Sequence, residues 1–234
     1  MRDIVILGST GSIGVQALEV IAANPTKFRV VGLSAGSNNL ERLAEQVKKF
    51  SVPIVGTTGD TSLLKNVLPG VEVIDGPDSS RQIAALSCDV VLNGITGSIG
   101  LGPTLAALEV GNKVALANKE SLVAGGDLLM AHGRDRIIPV DSEHSALFQA
   151  MSAGKLSDVE KVILTASGGP FRDRDDLSSV TVADALNHPT WSMGPVVTIN
   201  SATLVNKGLE IIEAHYLFGV PYSKIEAVIH PQSV

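Results

Sequence analysis

The sequence has only one cysteine, no surplus of positive charge and no long apolar run. Cys88 alone can form neither an internal disulfide nor a thiolate metal cage, which suits a reducing, cytoplasmic compartment. The formal net charge is -6, whereas nucleic-acid-binding proteins present a basic stripe to the phosphates, so DNA and RNA are not expected partners. No apolar run approaches about 18 residues, so no membrane span is predicted. The first residues show no secretory signal pattern.

The chain does contain enough apolar residues for a sizeable core, since 44% of its 234 residues are hydrophobic. Short apolar runs alternate with segments of helical period, which predicts an α/β fold with a Rossmann-like, doubly wound parallel sheet. Runs such as 4–7 and 113–117 are apolar without alternation, as in strands that helices cover on both faces. The predicted strands are 3–7, 28–33, 53–56, 71–74, 89–93, 113–117 and 136–140, and the predicted helices are 12–23, 39–50, 79–86, 101–110 and 125–132.

The pattern changes after about residue 140. We predict a helix near 144–153, strands at 159–165 and 224–230, and one long helix near 201–218, which is an α+β layout. The expected domains are therefore a nucleotide-binding domain over residues 1–140 and a catalytic domain over residues 141–234. The chain stops directly after an apolar strand, so we expect this second domain to be incomplete at its C-terminus.

A glycine-rich turn follows the first predicted strand and opens the first predicted helix. Its three glycines are spaced G-x-x-G-x-x-G over residues 8–14, rather than G-x-G-x-x-G. Glycines at such a turn let the backbone approach a pyrophosphate at the helix N-terminus, which favours a dinucleotide site. A purely structural turn is the alternative. The residues assigned to this part of the cofactor site are Gly8, Thr10, Gly11, Ser12 and Ile13.

The end of the second predicted strand bears on the choice of cofactor. No Asp or Glu is placed there to hold a ribose diol, which favours NADPH over NADH. The same loop lacks an Arg or Lys for the 2'-phosphate, so Gly36, Ser37, Asn38 and backbone amides would have to meet it.

A similar glycine motif recurs at 94–100, after the strand that ends at Asn93. Because parallel strands bring several carboxyl ends to one crevice, we predict that this turn lines the same cofactor groove and does not form a second nucleotide site. Asn118, Lys119 and Glu120 end the next strand at that edge, so Asn118 and Lys119 would face the cleft. A solvated lysine at the start of a helix is the alternative for Lys119.

Two acidic stretches together predict a metal site. Asp141 and Glu143 are two residues apart at the end of a predicted strand, and a period of two places both carboxylates on one face. Asn206, Glu210 and Glu213 form one polar stripe on the later predicted helix. Oxygen ligands without Cys or clustered His favour Mg²⁺ or Mn²⁺ over zinc. An exposed acidic face is the alternative for either pair alone.

A further glycine-rich loop follows the strand predicted at 159–165. Ser167 and the two glycines after it offer hydroxyl and backbone N–H donors in a concave turn that suits a phosphate. Ser201, Asn206 and Lys207 could close on the same anion. An ordinary Gly-Gly-Pro loop is the alternative.

These motifs together resemble the 1-deoxy-D-xylulose-5-phosphate reductoisomerase family. The matching stretches are GSTGSIG (8–14), LANKESLV (116–123), PVDSEH (139–144), ASGGPFR (166–172), HPTWSMG (188–194), NSATLVNKGLEIIEA (200–214) and IHPQSV (229–234). The resemblance implies conversion of a phosphorylated ketose to 2-C-methyl-D-erythritol 4-phosphate in non-mevalonate isoprenoid biosynthesis. It also implies NADPH, a divalent cation (Mg²⁺, Mn²⁺ or Co²⁺) and a homodimer.

The resemblance also implies roles for residues at matching positions. The implied metal ligands, which with Lys119 make up the catalytic set, are Asp141, Glu143 and Glu210. The implied substrate residues are Ser142 and Lys119 beside the hydroxyl groups, and Ser167, Ser201, Asn206 and Lys207 around the phosphate.

Further positions follow from the same family resemblance. Trp191 and Met193 would belong to a loop that closes over the pocket, with His188 at its base, and Glu213 and His230 would support the site. Ser37 stands where many relatives of the family have a basic residue, which weakens the expected preference for NADPH. The family continues beyond residue 234, so we expect this chain to bind cofactor but to turn over poorly.

Two other functions are compatible with parts of the pattern. A metal-independent semialdehyde dehydrogenase shares the nucleotide-first layout, but it needs an activated thiol, and Cys88 is badly placed for one. A nucleotide-sensing module would bind NADPH without chemistry. Oxidation of NADPH in the presence of Mn²⁺ and a phosphorylated ketose discriminates between the latter and the enzyme.

Overall fold

The structure, a computed structural model, describes residues 1–191, 193–230 and 232. The stretches of family resemblance at 188–194 and 229–234 thus lie partly outside the described residues, because Ser192, Pro231, Ser233 and Val234 are not among them. The chain divides into two compact units, Met1–Asp141 and Ser142–Val234.

Seven parallel strands form the sheet of the first unit. In chain order they are β1 (Arg2–Leu7), β2 (Phe28–Ala35), β3 (Ile54–Thr57), β4 (Glu72–Asp75), β5 (Val90–Asn93), β6 (Lys113–Leu116) and β7 (Ile137–Pro139). Their order in the sheet is β4-β3-β2-β1-β5-β6-β7, and every pair is parallel. The order reverses between β1 and β5, which confirms the predicted doubly wound, Rossmann-like sheet.

Six helices connect these strands. They are α1 (Ser12–Ala22), α2 (Leu40–Phe50), α3 (Ser62–Val67), α4 (Ser79–Ala84), α5 (Leu101–Glu109) and α6 (Lys119–Met130). The sequence pattern missed α3 and placed the start of α6 six residues too late. The Asn118 side chain caps α6 by accepting a hydrogen bond from the Ser121 amide at 3.0 Å, so the helix begins at the strand end and then kinks at Gly125.

The core of the first unit lies on both faces of the sheet. Ile4 and Ile6 pack with Leu18 of α1 and Leu43 of α2 in one buried cluster. The alternate residue Val5 points to the opposite face and is fully buried there. Burial on both faces explains why the β1 sequence is apolar without alternation.

The second unit combines a small sheet with four helices among the described residues. Its elements are α7 (Ser142–Met151), β8 (Val162–Ala166), α8 (Val182–Leu186), α9 (Pro195–Ala202), α10 (Val205–Phe218) and β9 (Ile225–Ile229). Strands β8 and β9 pair in parallel, and α10 packs against α7, β8 and β9. α10 therefore forms the centre of this unit.

Two predictions for the second unit were wrong. The long helix predicted near 201–218 is broken, because Leu204 adopts a left-handed conformation with φ 60° and separates α9 from α10. Strand β7 already ends at Pro139 and α7 begins at Ser142. Glu143 thus lies in the first turn of a helix, and the strand period of two does not relate it to Asp141.

No helix in the described part of the chain is both long enough and apolar enough to cross a membrane.

Candidate functional site

The two glycine-rich turns of the first unit lie against each other. Gly8 has φ +74°, and a Cβ atom added to it would lie 2.8 Å from the Gly94 carbonyl oxygen. Only glycine permits both this backbone conformation and this close approach. Since the turns follow β1 and β5, between which the strand order reverses, they flank the crevice where doubly wound sheets bind their ligands.

The first turn is anchored to its neighbours through buried hydrogen bonds. The Gly8 and Ser9 amides donate to the Ser34 carbonyl at 2.8 and 3.0 Å, and the Ser9 hydroxyl donates to Gln46 Oε1 at 2.8 Å. No side chain of the described residues caps α1, and its first turn contains no acidic residue. The amides at the start of α1 are therefore suited to an anionic group of a ligand.

The predicted cofactor residues of this turn are accessible to differing degrees. Gly11, Ser12 and Ile13 are exposed, whereas Gly8 and Thr10 are half-buried. At the end of β2, the residues Gly36, Ser37 and Asn38 are all exposed. Direct contact of these eight residues with a cofactor stays a prediction.

The Asn118 side chain holds the second glycine turn, residues 94–100, through hydrogen bonds to its backbone. Its buried side-chain amide donates to the carbonyl oxygens of Ile95 at 2.7 Å and Gly97 at 2.9 Å. Glu120 Oε2 accepts from the same amide nitrogen at 2.9 Å. These contacts give Asn118 and Glu120 a role in holding the turn that lines the crevice, a role that the sequence pattern did not reveal.

Lys119 and Asp141 form an ion pair at the carboxyl edge of the first unit. The distance from Lys119 Nζ to Asp141 Oδ2 is 3.1 Å, and the side chains are only 12% and 15% exposed. A solvated lysine would be far more accessible, so the alternative reading of Lys119 does not hold. Asp141 follows β7 and is the last residue of the first unit.

A buried cluster of charges lies in the second unit. Lys207 Nζ lies 2.9 Å from Glu143 Oε1 and also donates to Glu210 Oε2 and to the Thr165 carbonyl oxygen. Lys207 is 7% exposed and Glu210 1% exposed. Two carboxylates from different helices thus share one ammonium group. The Glu143 side chain is 27% exposed, whereas Glu210 and Lys207 lie away from bulk water, where such charges need a partner.

Further polar contacts surround the same carboxylates. Asn206 Nδ2 donates to Glu210 Oε1 at 2.5 Å, one helical turn away along α10. The Ser142 hydroxyl donates to Glu143 Oε2 at 2.5 Å. The predicted polar stripe on α10 thus points into the interior of the unit and is not an exposed acidic face.

His144 links α7 to α10, which the sequence pattern did not single out. The ring is fully buried, with Nε2 2.9 Å from the Glu210 carbonyl oxygen and Nδ1 3.8 Å from Glu213 Oε2. Glu213 is 3% exposed, and its supporting role in the site stays a prediction. The only signal in the sequence was that His144 directly follows Glu143.

The loop after β8 is organised by a histidine with a defined tautomer. The backbone amides of Thr190 and Trp191 donate to His188 Nδ1 at 3.1 and 3.0 Å, so this nitrogen carries no proton. The proton on Nε2 can then be donated to the Ser167 hydroxyl oxygen at 3.0 Å. Burial lowers the pKa of His188 below its ordinary value of 6.5.

The glycine turn after Ser167 packs closely against the backbone of Ser201. The Gly169 amide donates to the Ser167 hydroxyl oxygen at 3.2 Å. Gly169 has φ +69°, and a Cβ atom there would lie 2.6 Å from the Ser201 carbonyl oxygen. The two predicted phosphate-binding serines therefore flank one glycine turn. Just before this turn, the His230 amide donates to the Ala166 carbonyl oxygen at 2.8 Å.

Two apolar side chains lie on the segment after His188. Trp191 is 53% exposed and Met193 is 36% exposed. Large apolar groups in this state are available to cover a neighbouring ligand. Their closure over a pocket stays a prediction.

Cys88 lacks the environment of a catalytic thiol. Burial raises the pKa of its thiol to about 11, so the thiolate is scarce near neutral pH. This contradicts the requirement of a semialdehyde dehydrogenase for an activated cysteine.

The fold and the geometry of its two units define a Rossmann-like nucleotide-binding α/β protein with a buried acid cluster in its second unit. Comparisons with known proteins make the assignment specific. The family model for 1-deoxy-D-xylulose 5-phosphate reductoisomerase matches residues 4–126, and the model for the C-terminal domain of that enzyme matches residues 137–218. The chain belongs to the 1-deoxy-D-xylulose 5-phosphate reductoisomerase family.

Curated relatives with this name are similar over nearly the whole chain. The protein from Leifsonia xyli subsp. xyli is 58% identical, with 100% of this chain and 61% of the relative covered. The protein from Streptomyces coelicolor is 55% identical, with 99% of this chain and 59% of the relative covered. The chain therefore spans roughly three fifths of the length of these relatives.

Solved structures of family members have the same fold. The enzyme from Zymomonas mobilis in complex with NADPH is 40% identical with a TM-score of 0.90, and the match covers 100% of this chain and 62% of that one. A reductoisomerase in complex with NADPH, fosmidomycin and magnesium is 36% identical with a TM-score of 0.90 and the same coverage.

Proposed function

We propose that this chain provides the NADPH-, cation- and substrate-binding parts of a reductoisomerase. The enzyme converts 1-deoxy-D-xylulose 5-phosphate to 2-C-methyl-D-erythritol 4-phosphate in non-mevalonate isoprenoid biosynthesis. The observation that carries the proposal is the pairing of half-buried Glu143 and buried Glu210 around one ammonium group, in a chain of this family.

The pair of Glu143 and Glu210 fits a hard divalent cation. The Lys207 ammonium already lies between the carboxylates of Glu143 and Glu210, so this place in the second unit stabilises positive charge. The donors are carboxylate oxygens, which suit Mg²⁺, Mn²⁺ or Co²⁺. Glu143 and Glu210 would hold the ion, with Asp141, two residues earlier in the chain, as the third ligand. When bound, the ion supplies Lewis-acid polarisation of the ketone.

The residues around the carboxylates would position the rest of the substrate. The Lys119 ammonium orients the Asp141 carboxylate and can donate to a substrate hydroxyl. The Ser142 hydroxyl, next to Glu143 in α7, can contact a second one. Donors to two hydroxyl groups would restrict the substrate to one orientation, which lowers the entropic cost of reaction.

The phosphate of the substrate would bind at the glycine turn after β8. The Ser167 hydroxyl oxygen accepts from His188 and from the Gly169 amide, so its own proton is left to donate to an anion. Ser201 flanks the turn, and Asn206 and Lys207 are the further donors expected there. A neutral His188 holds the base of the 188–193 segment, whose Trp191 and Met193 would exclude water from the pocket.

NADPH would bind in the crevice of the first unit, where it supplies the hydride. The amides of residues 11–13 would receive the pyrophosphate. Ser37 and Asn38 would meet the 2'-phosphate, because neither an acidic nor a basic residue is present in that loop. The crevice at the ends of β1 and β5 would receive the nicotinamide half.

We further propose a homodimer in the cytoplasm. The dimer follows from the family resemblance alone, and the compartment from the single cysteine.

The test is NADPH oxidation followed at its absorbance, with 1-deoxy-D-xylulose 5-phosphate as substrate. We expect slow oxidation that depends on Mn²⁺ or Mg²⁺ and stops with chelator. It should fall about 10–100-fold or more in Glu210→Gln, because loss of even an outer-shell partner of a metal ligand typically costs 10–100-fold in metal affinity or activity. Glu226→Gln, which changes an exposed carboxylate of the same unit, is the matched control. Oxidation that is insensitive to chelator would refute the proposal.

A further inference from the structure

Two of the expected phosphate donors are engaged with the carboxylate that would bind the cation. Asn206 Nδ2 donates to one oxygen of Glu210 at 2.5 Å, and Lys207 Nζ donates to the other. Both oxygens of the same carboxylate are thus occupied by groups from the phosphate set.

Lys207 is held in this position on three sides. Its ammonium contacts Glu143 at 2.9 Å, Glu210 and the Thr165 carbonyl oxygen. An ammonium group has three donors, so these contacts use all of them. Thr165 is on β8 and precedes Ser167 by two residues, so the Lys207 ammonium contacts the strand from whose end the phosphate turn begins.

We infer that Lys207 is a displaceable counter-ion that couples the cation site to the phosphate site. Without a divalent cation, the ammonium neutralises Glu143 and Glu210. A cation that binds these carboxylates replaces Lys207 and Asn206 there, and both donors become available to a phosphate. Cation binding therefore strengthens phosphate binding, and phosphate binding strengthens cation binding by the same factor. The inference rests on the proposed function, because it takes Glu143 and Glu210 as metal ligands.

Simple electrostatics supports the exchange. Glu143, Glu210 and the Lys207 ammonium sum to a charge of -1, whereas a divalent cation offsets the charge of these two carboxylates completely. The third expected ligand, Asp141, already has its own ammonium partner in Lys119. The displaced ammonium must then find another anion, because an unpaired charge in a buried place is costly. The phosphate of the substrate is the anion nearest in the expected arrangement.

The coupling can be measured without catalysis. We would titrate the 234-residue chain with Mn²⁺, follow the electron paramagnetic resonance signal of the free ion, and repeat the titration with methyl phosphate present. Methyl phosphate lacks the hydroxyl and ketone oxygens of the substrate, so it reports on the anion site alone. We expect it to tighten Mn²⁺ binding at least about fivefold, the lower end of common coupling factors.

Lys207→Gln tests the identity of the counter-ion. The glutamine can still donate to the Thr165 carbonyl oxygen, but it carries no charge. In this variant we expect Mn²⁺ to bind more tightly than in the wild type when no phosphate is present, and methyl phosphate to change the affinity less than twofold. Lys161→Gln removes the same charge from an exposed pair with Glu226 in the same unit, and it should keep the coupling of the wild type.

Several outcomes would overturn the inference. The first is Mn²⁺ binding by Lys207→Gln that is equal to or weaker than binding by the wild type. The second is an effect of methyl phosphate on Mn²⁺ affinity that persists in Lys207→Gln. The third is a loss of this effect in Lys161→Gln as large as the loss in Lys207→Gln. If Lys207→Gln does not fold, the wild-type titration decides, because a methyl phosphate effect below twofold also refutes the coupling. Failure of the proposed function looks different: Mn²⁺ would then bind equally well to Glu210→Gln.

Discussion

Replacement of Glu210 by Gln should separate the structural from the metal-binding role of the buried cluster. The carboxylate accepts from Lys207 and from Asn206 and is 1% exposed. Glutamine keeps one acceptor oxygen but turns an amide group towards the ammonium. Lys207 retains Glu143 at 2.9 Å, so its charge does not become unpaired.

These contacts set the expected loss of stability. Removal of one partner of a buried ion pair costs about 3–5 kcal/mol when the other charge is left alone. A hydrogen bond to a charged group contributes about 1.5–3 kcal/mol. Since Lys207 keeps a second carboxylate, we expect the lower range, about 2 kcal/mol, in the absence of a divalent cation.

A bound divalent cation should enlarge the difference in stability between the wild type and Glu210→Gln. An ion at 100 times its dissociation constant stabilises the folded wild type by about 2.7 kcal/mol. If the variant binds the ion about 100-fold more weakly, the same concentration equals its dissociation constant and adds only about 0.4 kcal/mol.

Urea unfolding followed by circular dichroism measures the free energy of unfolding. Experiments without Mn²⁺ give the loss caused by the substitution, and experiments with Mn²⁺ give the stabilisation by the cation. The control Glu226→Gln alters an exposed ion pair whose partner Lys161 is 44% exposed. It should change stability by less than about 1 kcal/mol and keep the full effect of Mn²⁺. Equal stabilisation of Glu210→Gln and wild type by Mn²⁺ would show that Glu210 is not a ligand.

Three further predictions concern other parts of the molecule. Gly8→Ala should lose about 1–2 kcal/mol of stability, because its φ is +74° and its new Cβ would lie 2.8 Å from the Gly94 oxygen. This variant should also bind NADPH more weakly in a fluorescence titration. The control Gly102→Ala, whose Cβ would have no neighbour within 4 Å, should change neither stability nor NADPH binding. The pKa of His188 is lowered from its ordinary value of 6.5 by burial. Its contacts with the 190–191 amides should therefore be fully present above 6.5 and be lost only as the pH falls through the lowered pKa of the folded state. The fluorescence of Trp191, the single tryptophan, should report this change, and a change of the same size in His188→Gln would argue against the assignment. Finally, the raised pKa of the Cys88 thiol, about 11, predicts slow alkylation at pH 7–8 that accelerates with pH. Cys88→Ala should keep full activity. Fast alkylation at neutral pH would contradict the burial of the Cys88 thiol.

The sequence was sufficient for the architecture of the first unit. Its main features have local physical causes and can therefore be recognised in the sequence. They are uninterrupted apolar runs, glycine turns directly after strands, and helical segments between the strands. The doubly wound sheet and the pairing of two glycine turns at one crevice followed from these patterns. α3, a helix of six residues, was missed, although α4, which has the same length, was predicted.

Long-range contacts could not be predicted in the same way. The break at Leu204 has no local signature, since leucine disfavours the left-handed conformation that it adopts there. Glu143 was expected on a strand because the end of β7 depends on pairing with β6, which a one-dimensional pattern does not contain.

The sequence by itself determined which chemical groups this protein has: oxygen ligands without thiolates, glycines beside a helix N-terminus, and serines in a glycine turn. Only the tertiary structure decided how these groups are paired. Lys207 was expected at a phosphate, yet it lies on Glu143 and Glu210, which are 64 and three residues away. A buried charge takes the partner that packing brings to it, and that choice depends on helices α7 and α10 meeting in space.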